Sequence, residues 1–472
     1  MLENCQVFTP ENIVAEMLDI AEYKMDLYGK KVLENSCGDG RILSQIVYRY
    51  ISDCKIKKYS IDKIRRGLMN DIVGFEIDEK QAEECRKNLD AIASQFNVLN
   101  VQWNILVEDA LKSDLRIKFN FVIGNPPYIT YSDLDILTRE YIKENFHTCS
   151  NGKADYFYAF IEKSIWYLAN NGVLVYLIPN CIFKNVFAAK VRELIQNPLC
   201  DIYDYTSMSV FENRLTSSAI IKARNGFNTN DICYHDMVNN TTSSIKKESL
   251  GDKWVFTKYS NSDFPLRFGD FFHAQCSIAT LCNDVFLLDV ESEDTMFYYL
   301  KNGEKIEKNI VRIAVSPRLK SYKKSKHIIF PYTYEDDVLT RFTEGQFIKN
   351  APFAYSYLLD KKIKLENTDK DESALWFEYG RSQSLQSLNQ EKILISTVIT
   401  GKVNAFRLDA ETIPFSGIII TALPQGDLTL SKALEILQSS NFIEYIESIG
   451  VNARNNSKRI SPKDINNYRF EI

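Results

Sequence analysis

Short buried strands alternate with amphipathic helices over roughly the first 226 residues, and this alternation constrains the fold more than any other feature. The segments in order are VFTPENIVAEMLDIA, KKVLENSCGDGRILSQIVYRYI, DIVGFEIDEKQAEECRKNLDAIASQF, NILVEDAL, FNFVIGNPPY, ADYFYAFIEKSIWYLANNG and GVLVYLIPN. Strands that alternate with helices favour a sheet with helices on both faces. The pattern therefore predicts an α/β fold with a doubly wound, mostly parallel sheet.

The alternation ends near residue 226, and the second half is irregular and rich in Tyr, Phe, Ser, Asn and Lys. It contains short strands, such as EKILISTVITGKVNAFRL and TIPFSGIIITAL, and a helix over LSKALEILQSSNFIEYIESIG. A chain of 472 residues exceeds the size at which single cores usually stop growing. We expect a boundary between 226 and 245, with a first domain at 1–235 and a mixed α+β domain at 236–472.

Composition narrows the classes of protein. The net charge of −5 argues against a surface that is basic all round but permits a local basic cleft. The N-terminal sequence has no secretory leader pattern, and no run reaches about 18 consecutive apolar residues, so a soluble, cytoplasmic protein without a membrane segment is expected. The ten cysteines include no C-x-x-C pair and the four histidines show no ligand spacing, so no metal site is predicted.

The segment LENSCGDGRIL places a glycine turn where the first strand of a Rossmann-like sheet meets its first helix. Gly38 and Gly40 would let the backbone approach a ligand at a helix N-terminus. The third glycine of the dinucleotide-binding pattern is absent, because Ile42 and Leu43 follow Arg41. The turn alone is weak evidence for any one ligand.

Two carboxylates extend this pattern, since Glu76 ends the second strand and Asp109 follows the third. A carboxylate can accept hydrogen bonds from both hydroxyl groups of a ribose, and a second one can accept from an adenine amine. The carboxyl edge of a parallel sheet is where open α/β folds bind ligands. The three strand ends together predict an adenosine site.

The fourth strand ends in FVIGNPPYITY, where Asn125, Pro126, Pro127 and Tyr128 follow a buried run. Proline fixes φ and ends a ladder, so a rigid turn explains these four residues by themselves. The other interpretation is a catalytic loop at the carboxyl edge. The three strand ends upstream favour the catalytic interpretation.

In this order the motifs resemble S-adenosylmethionine-dependent, adenine-specific DNA methyltransferases of the gamma motif order, the TaqI methyltransferase type found in restriction-modification systems. The resemblance runs from residue 7 to about residue 224 through VFTP, VLENSCGDGRIL, GFEID, EDA, IGNPPY, AFIEKS, GVLVYLIP and VFENRLTSSAII. It implies the Rossmann-like fold of class I methyltransferases in the first domain.

The resemblance implies S-adenosylmethionine as cofactor, without a metal. The residues that it assigns to cofactor binding are Thr9, Glu34, Cys37, Gly38, Gly40, Glu76, Ile77, Asp109 and Phe160. Two positions depart from the family pattern: Asn35 stands where proline is common, and Ala110 where an aromatic residue is common. We expect both to loosen the packing around the cofactor.

The motif at 125–128 then acquires a chemical role. The amide oxygen of Asn125 and the carbonyl of Pro126 would accept hydrogens from an exocyclic amine, and Pro126 and Pro127 bring no competing N–H. Tyr128 would stack on one face of the base, and the resemblance places Phe211 on the other. A base held on both faces must be flipped out of the duplex.

The second domain would then recognise the target sequence in double-stranded DNA. Its candidate DNA-contacting residues are Lys320, Lys323, Lys324, Arg454, Lys458 and Arg459. For any single lysine, a solvated loop is the simpler explanation. We expect a monomeric, stand-alone modification enzyme with, at most, a separately encoded restriction endonuclease, because the first motif already begins at residue 7.

Three other functions stay open at this point. A methyltransferase acting on the 4-amino group of cytosine is the nearest alternative, although those enzymes typically have serine at the position of Asn125. Enzymes that methylate a glutamine amide of release factors share the motif but lack a comparable second domain. A DNA-binding subunit without activity is disfavoured by the complete set of Glu76, Asp109 and Asn125.

Overall fold

The computed structural model describes residues 9–206, 217–256, 263–318, 326–453 and 457–472. The chain forms two compact units, residues 1–256 and 257–472, and each is described by itself. Within the described ranges, no helix is both long and apolar enough to cross a membrane.

The elements of the first unit alternate as the sequence predicts. Its helices are α1 (Glu11–Ile20), α2 (Arg41–Ile56), α3 (Ile61–Asp71), α4 (Glu79–Ser94), α5 (Ile136–Asn145), α6 (Phe157–Tyr167) and α7 (Ala189–Gln196). Its strands are β1 (Val32–Glu34), β2 (Ile72–Glu76), β3 (Asn104–Val107), β4 (Phe119–Gly124), β5 (Leu168–Pro179), β6 (Leu199–Asp204), β7 (Ser218–Arg224), β8 (Asp231–Asp236) and β9 (Thr241–Lys246).

Within the described part of the first unit, nine strands form one sheet in the order β3-β2-β1-β4-β5-β7-β6-β8-β9. Strands β3 to β5 pair in parallel, whereas β7 is antiparallel to both β5 and β6. The chain order reverses between β1 and β4, so the connections after these strands leave in opposite directions and open a crevice at their carboxyl ends. The predicted doubly wound, mostly parallel sheet is confirmed.

The central strands are buried on both faces. Along β5, Leu174 and Tyr176 contribute to one hydrophobic cluster, and Val175 and Leu177 to the other. This alternation follows from the two-residue period of a strand. Helices cover both clusters, which is why the central strands read as continuous apolar runs.

The first unit extends beyond the predicted boundary at 235. Strands β8 and β9 continue the sheet, and the segment after β9 packs back onto the unit. The Trp254 side chain is 2% exposed, its backbone N–H donates to the Phe183 carbonyl at 2.8 Å, and Lys247 Nζ donates to the Asn197 carbonyl at 2.6 Å. Sequence pattern obscured this because β9 (TTSSIK) is exposed and polar.

The second unit contains short elements. Its helices are α8 (Asn283–Phe286), α9 (Glu344–Asn350), α10 (Pro352–Leu359), α11 (Lys362–Glu366), α12 (Leu430–Gln438), α13 (Ser440–Ile449) and α14 (Pro462–Asn466). Its strands are β10 (Leu266–Arg267), β11 (Phe272–Cys276), β12 (Leu287–Leu288), β13 (Val290–Glu293), β14 (Phe297–Leu300), β15 (Lys305–Glu307), β16 (Val311–Val315), β17 (Lys326–Ile329), β18 (Tyr332–Glu335), β19 (Val338–Arg341), β20 (Lys392–Ile395), β21 (Val398–Ile399), β22 (Ala405–Leu408), β23 (Ile413–Pro414), β24 (Ile418–Ala422), β25 (Val451–Asn452), β26 (Lys458–Arg459) and β27 (Arg469–Phe470).

These elements form several small sheets with helices around them, which confirms the predicted mixed α+β class. The helix expected over residues 430–450 is two helices, α12 and α13. Ser439 separates them because its backbone is extended, and its side chain caps α13 by accepting from Phe442 N at 3.2 Å.

The packing of Trp254 predicts a stability effect. We expect Trp254→Ala to lower the free energy of unfolding by about 3–5 kcal/mol, because it removes a large buried side chain from the core of the first unit. Trp166→Ala is the matched control, since that side chain is 43% exposed, and its loss is expected to be markedly smaller. Denaturant titration measures the free energy of unfolding of both variants. Equal losses in the two variants would contradict the packing of Trp254 in the core of the first unit.

Candidate active site

The carboxyl ends of four adjacent strands carry the predicted site residues. The glycine turn Cys37–Gly40 follows β1, Glu76 ends β2 with Ile77 after it, Asp109 follows β3, and Asn125 follows β4. Because β3, β2, β1 and β4 are neighbours in this order, their carboxyl ends lie side by side. The sheet thereby gathers residues that are up to ninety positions apart in sequence onto one edge.

The glycine turn needs both of its glycines, for different reasons. Gly38 and Gly40 have φ angles of +51° and +83°, which favour glycine. A Cβ on Gly40 would lie 2.5 Å from Cys85 Sγ, whereas a Cβ on Gly38 would meet nothing within 4 Å. Gly40 therefore allows α2 to pack against α4, and the space beside Gly38 is open. The turn ends at the N-terminus of α2, where backbone N–H groups can bind an anion.

Glu76 connects this turn to the end of β2. Its Oε2 accepts from Gly38 N at 2.9 Å, and its Oε1 accepts from Asp78 N at 3.0 Å. Each carboxylate oxygen has a second lone pair, so both can also accept from the hydroxyl groups of a ribose. Ile77 beside it is 68% exposed and offers an apolar surface to a flat ring.

Asp109 lies in a neighbourhood of aromatic side chains. Its Oδ1 accepts from Leu111 N at 3.0 Å. Phe160 on α6 is 4% exposed and meets the half-buried ring of Tyr156 edge to face at 5.2 Å between centroids. Burial raises the pKa of Tyr156, and the charge of Asp109 adds to the shift. Sequence reasoning missed Tyr156, although it stands four residues before Phe160 on one helical face.

The two departures from the family pattern are both buried. Ala110 is 4% exposed and packs in the same hydrophobic cluster as Leu111. Asn35 is 2% exposed, and its side chain is hydrogen-bonded to Ser164 and Tyr176. The Asn35 amide is therefore tied to two neighbouring elements. The loosening of cofactor packing expected at positions 35 and 110 stays a prediction.

Glu34, at the end of β1, is a buried carboxyl group only 2% exposed. Among the described residues, its Oε2 atom has no hydrogen-bond partner. Burial raises the pKa of Glu34 well above its ordinary value, and the nearby Cys85 thiol and the negative charges of Asp39 and Glu76 add to the shift. A positively charged ligand bound beside this carboxyl would stabilise its ionised form more than it would for an exposed carboxyl.

The loop after β4 is held at three points. Asn125 Nδ2 donates to Thr9 Oγ1 at 3.2 Å, and Ser36 Oγ donates to the Asn125 carbonyl at 3.2 Å. The Tyr128 hydroxyl donates to the Leu177 carbonyl on β5 at 2.9 Å. Thr9, predicted near the cofactor, thus contacts the amide of the predicted catalytic loop. These bonds fix the amide plane of Asn125 and the ring of Tyr128 relative to β1 and β5.

Several predicted residues lie outside the described part of the chain, namely Phe211, Lys320, Lys323, Lys324 and Arg454. Of the remaining two candidate DNA contacts, Arg459 is exposed on β26. Lys458 Nζ donates to Asn452 Oδ1 at 2.6 Å and lies 3.5 Å from a Glu447 carboxylate oxygen. A phosphate contact from Lys458 would have to compete with these internal partners.

One group of possible metal ligands is brought together away from this edge. Ligand atoms of Asp201, Cys233 and His235 lie within 4.8 Å of one another on β6 and β8. The sequence showed no metal spacing because Asp201 and Cys233 are partners across two strands. Lys222 on β7 is the other strand partner of Asp201, and its Nζ donates to Glu22 Oε1 at 2.7 Å.

Comparison with known proteins supports the resemblance seen in the motifs. Residues 21–211 match the family model described as Eco57I restriction-modification methylase. The match contains the glycine turn, Glu76, Asp109 and the loop at 125–128. The predicted resemblance to methyltransferases of restriction-modification systems is confirmed.

Two curated relatives illustrate the extent of the match. Type II methyltransferase M.BstVI of Geobacillus stearothermophilus is 30% identical over 237 residues, which cover 46% of this chain and 42% of that protein. Type II restriction enzyme and methyltransferase RM.Eco57I of Escherichia coli is 21% identical over an alignment that covers 94% of this chain and 54% of that protein. The chain thus spans about half the length of the curated relatives it matches.

A solved structure shows the same fold across both units. The type IIL restriction-modification enzyme MmeI, solved in complex with DNA, has a TM-score of 0.56 and 14% sequence identity to this chain. The alignment covers 97% of this chain and 64% of that one. At this identity the likeness is one of fold.

The buried Glu34 predicts a pH dependence of stability. Its pKa is raised in the folded, ligand-free protein, so its contribution to stability is complete below the ordinary value of 4.5 and is lost as the pH rises toward the raised value. Glu34→Gln stays neutral at every pH. We therefore expect the variant to match the wild type near pH 4 and to unfold at progressively higher temperatures than the wild type as the pH increases to neutrality.

Thermal unfolding from pH 4 to pH 8 measures this difference. Glu83→Gln, at an exposed position on α4, makes the same change in net charge and serves as control. Melting temperatures of wild type and Glu34→Gln that stay parallel across the range would contradict the burial argument.

Proposed function

We propose that this chain, whose residues 21–211 match the Eco57I restriction-modification methylase family, is a site-specific DNA methyltransferase that modifies the 6-amino group of adenine and uses S-adenosylmethionine. The observation that carries the proposal is the placement of Asn125 and Pro126 directly beside the glycine turn. Ser36, which immediately precedes that turn, is hydrogen-bonded to the backbone of Asn125.

The acidic groups at the edge of the sheet fit this cofactor. The buried carboxyl of Glu34 suits its cationic methionine part, Glu76 its ribose hydroxyls, and Asp109 its adenine amine. Ile77 and Phe160 would provide apolar walls for the adenine ring. When bound, S-adenosylmethionine supplies an electrophilic methyl group on a cationic sulfonium.

The catalytic task of the protein is to prepare the amine. The lone pair of an exocyclic amine is delocalised into its ring, which makes the nitrogen a poor nucleophile. In the proposed mechanism, Asn125 Oδ1 and the Pro126 carbonyl each accept one hydrogen and draw the nitrogen toward tetrahedral geometry. Thr9 assists by accepting from Asn125 Nδ2, since this bond holds the amide plane. Pro127 contributes no N–H that could compete.

A strong general base is not required. A bound S-adenosylmethionine would supply both the methyl group and the positive charge that the amine carries after transfer. The amine would then lose its extra proton to water. A neutral amide at Asn125 is consistent with this charge balance, because no negative group has to be neutralised at the reacting atom.

Tyr128 provides the face on which the flipped base rests. Its hydroxyl is held by the Leu177 carbonyl, and its ring packs edge to face on Phe157 at 6.1 Å between centroids. A ring fixed in this way loses little freedom when a base stacks on it. Phe211 is proposed for the opposite face. Stacking on both sides would offset the few kcal/mol that extrusion of a base from the duplex costs.

The second unit, residues 257–472, is proposed to recognise the target sequence in duplex DNA. Its exposed Arg459, together with the Lys and Arg candidates outside the described residues, would contact phosphates. The relative RM.Eco57I is by its name both a restriction enzyme and a methyltransferase. For this chain we propose the modification activity.

Loss of the Asn125 side chain tests the central proposal. We expect the wild type to transfer labelled methyl groups to duplex DNA and to produce 6-methyladenine, and Asn125→Ala to be slower by about 10²-fold or more, as for other single transition-state contacts. Cofactor binding, measured by calorimetry, should change little. Asn120→Ala is the control, because Asn120 lies on β4 but bonds to the Lys31 backbone at the amino end.

The identity of the labelled product decides between the alternatives. Mass spectrometry of digested DNA distinguishes 6-methyladenine from 4-methylcytosine, and the latter product would overturn the adenine assignment. Full activity of Asn125→Ala, or label on protein instead of DNA, would overturn the proposal itself.

Substitution of Tyr128 tests base stacking. We expect Tyr128→Ala to reduce turnover far more than cofactor affinity, since about 1–3 kcal/mol of stacking is lost. Tyr128→Phe keeps the stacking face and removes only the bond to Leu177, so it should retain most of the turnover. An equal loss of turnover and cofactor affinity in Tyr128→Ala would show that the ring supports the cofactor site instead.

A further inference from the structure

We propose that Asn35, Tyr176 and Ser164 are positioning residues that fix the glycine turn relative to Asn125 and Pro126. This inference rests on the proposed methyl transfer and concerns how the two halves of that site are aligned. Asn35 directly follows β1, Tyr176 lies on β5 and Ser164 lies on α6. None of them was singled out as functional by its motif.

The register of the sheet places this group one residue before the catalytic loop. Gly124 on β4 is the partner of Tyr176 on β5. On the other side, Leu33 of β1 is the partner of Val122, so Asn35 falls level with Gly124 two residues further along. Asn35, Gly124 and Tyr176 thus form one row across three adjacent strands, and Asn125 follows directly.

Gly124 makes the row possible. A Cβ on Gly124 would lie 3.3 Å from Tyr176 Cε1 and 3.9 Å from Asn35 Oδ1. The Tyr176 ring therefore occupies the space that a larger residue on β4 would need, and its hydroxyl reaches across β4 to Asn35. The glycine of the IGNPPY motif thus has a local packing reason in this chain.

The three polar groups satisfy one another in a closed ring of hydrogen bonds. The Tyr176 hydroxyl donates to Asn35 Oδ1, and Asn35 Nδ2 donates to Ser164 Oγ at 2.9 Å. Ser164 Oγ lies 2.6 Å from the Tyr176 oxygen and closes the ring as donor. The residues are 2%, 0% and 0% exposed for Asn35, Ser164 and Tyr176. Water does not compete for these bonds, so the ring is geometrically defined.

The ring connects both halves of the proposed site. Asn35 stands between Glu34 and Ser36, and Ser36 donates to the Asn125 carbonyl. Ser164 stands one helical turn after Phe160, the proposed adenine wall. A displacement of any one partner would therefore move the glycine turn, where the cofactor would bind, relative to Asn125 and Pro126, which would hold the amine. Direct transfer between two bound partners is sensitive to such shifts, and a misplacement of about 1 Å can cost about 10²-fold in rate.

A buried polar ring can also be purely stabilising, so the test needs a rate as well as a melting temperature. Tyr176→Phe keeps the aromatic ring over Gly124 and removes only the hydroxyl. We expect the single-turnover rate of methyl transfer, at saturating cofactor and DNA, to fall by about 10-fold or more. Cofactor affinity should change by less than the rate, since the groups that would bind the cofactor are unchanged. The melting temperature should fall as well, because polar groups are left unsatisfied.

A triple variant separates alignment from stability. Asn35→Leu, Ser164→Ala and Tyr176→Phe together remove every polar group of the ring, so no buried donor or acceptor is left without a partner. We expect this variant to recover melting temperature relative to Tyr176→Phe but to remain slow in single turnover. If the triple variant does not fold, the single-turnover rate of Tyr176→Phe decides the question. This rate is measured at a temperature where circular dichroism shows that Tyr176→Phe is folded.

Tyr50→Phe is the matched control. The Tyr50 hydroxyl is equally buried and donates to Asp71 Oδ2 at 2.6 Å, but Asp71 immediately precedes β2 at the opposite edge of the sheet. This variant should lose stability without losing rate in the folded protein.

Three outcomes are distinct. A wild-type single-turnover rate in folded Tyr176→Phe, or recovery of both rate and stability in the triple variant, would overturn the positioning role and leave the proposed function intact. The positioning role would also be overturned if Tyr50→Phe had a slow single-turnover rate too, and if the rates of both variants fell in step with their melting temperatures. A wild-type protein that transfers no methyl group to DNA would overturn the proposed function, and the positioning role with it.

Discussion

The parallel pairing of β1 with β2 on one side and β4 on the other is the constraint on which the rest of the first unit depends. Because the chain order reverses at β1, the connections after β1 and β4 diverge and leave a crevice between them. The glycine turn borders this crevice on one side, and Asn125 borders it on the other. Among the described residues, Glu76 ends a strand of this group, and Asp109 and Asn125 each follow one.

The crevice combines a satisfied carboxylate with an unsatisfied one. Glu76 already accepts two backbone hydrogen bonds and serves as a fixed link between β2 and the turn. Glu34 is buried, and burial holds its pKa high in the ligand-free protein. A buried acid of this kind lowers the stability of the ligand-free protein. A cationic ligand beside it would stabilise its ionised form, and this stabilisation would contribute to the binding energy.

The departures from the family pattern show how a chain preserves a site with different residues. At position 35, an amide replaces the common proline, and the rigidity of a proline ring is replaced by hydrogen bonds to Tyr176 and Ser164. At position 110, alanine fills a core position. The residues bonded to Asn35 come from elements distant in sequence, so only the fold relates them to the position that changed.

The sequence by itself determined the alternation of strands and helices, the glycine turn, and the acids and amide that follow the strands, because periodicity and turn chemistry are local properties. It did not reveal that β9 and Trp254 belong to the first unit, since a polar edge strand resembles a loop, nor that residues 430–450 break at Ser439. Only the tertiary structure decided which distant residues meet: Thr9 with Asn125, and Asn35 with Tyr176 across Gly124. The reason is physical, because these contacts depend on strand order and register, which no single segment of the chain contains.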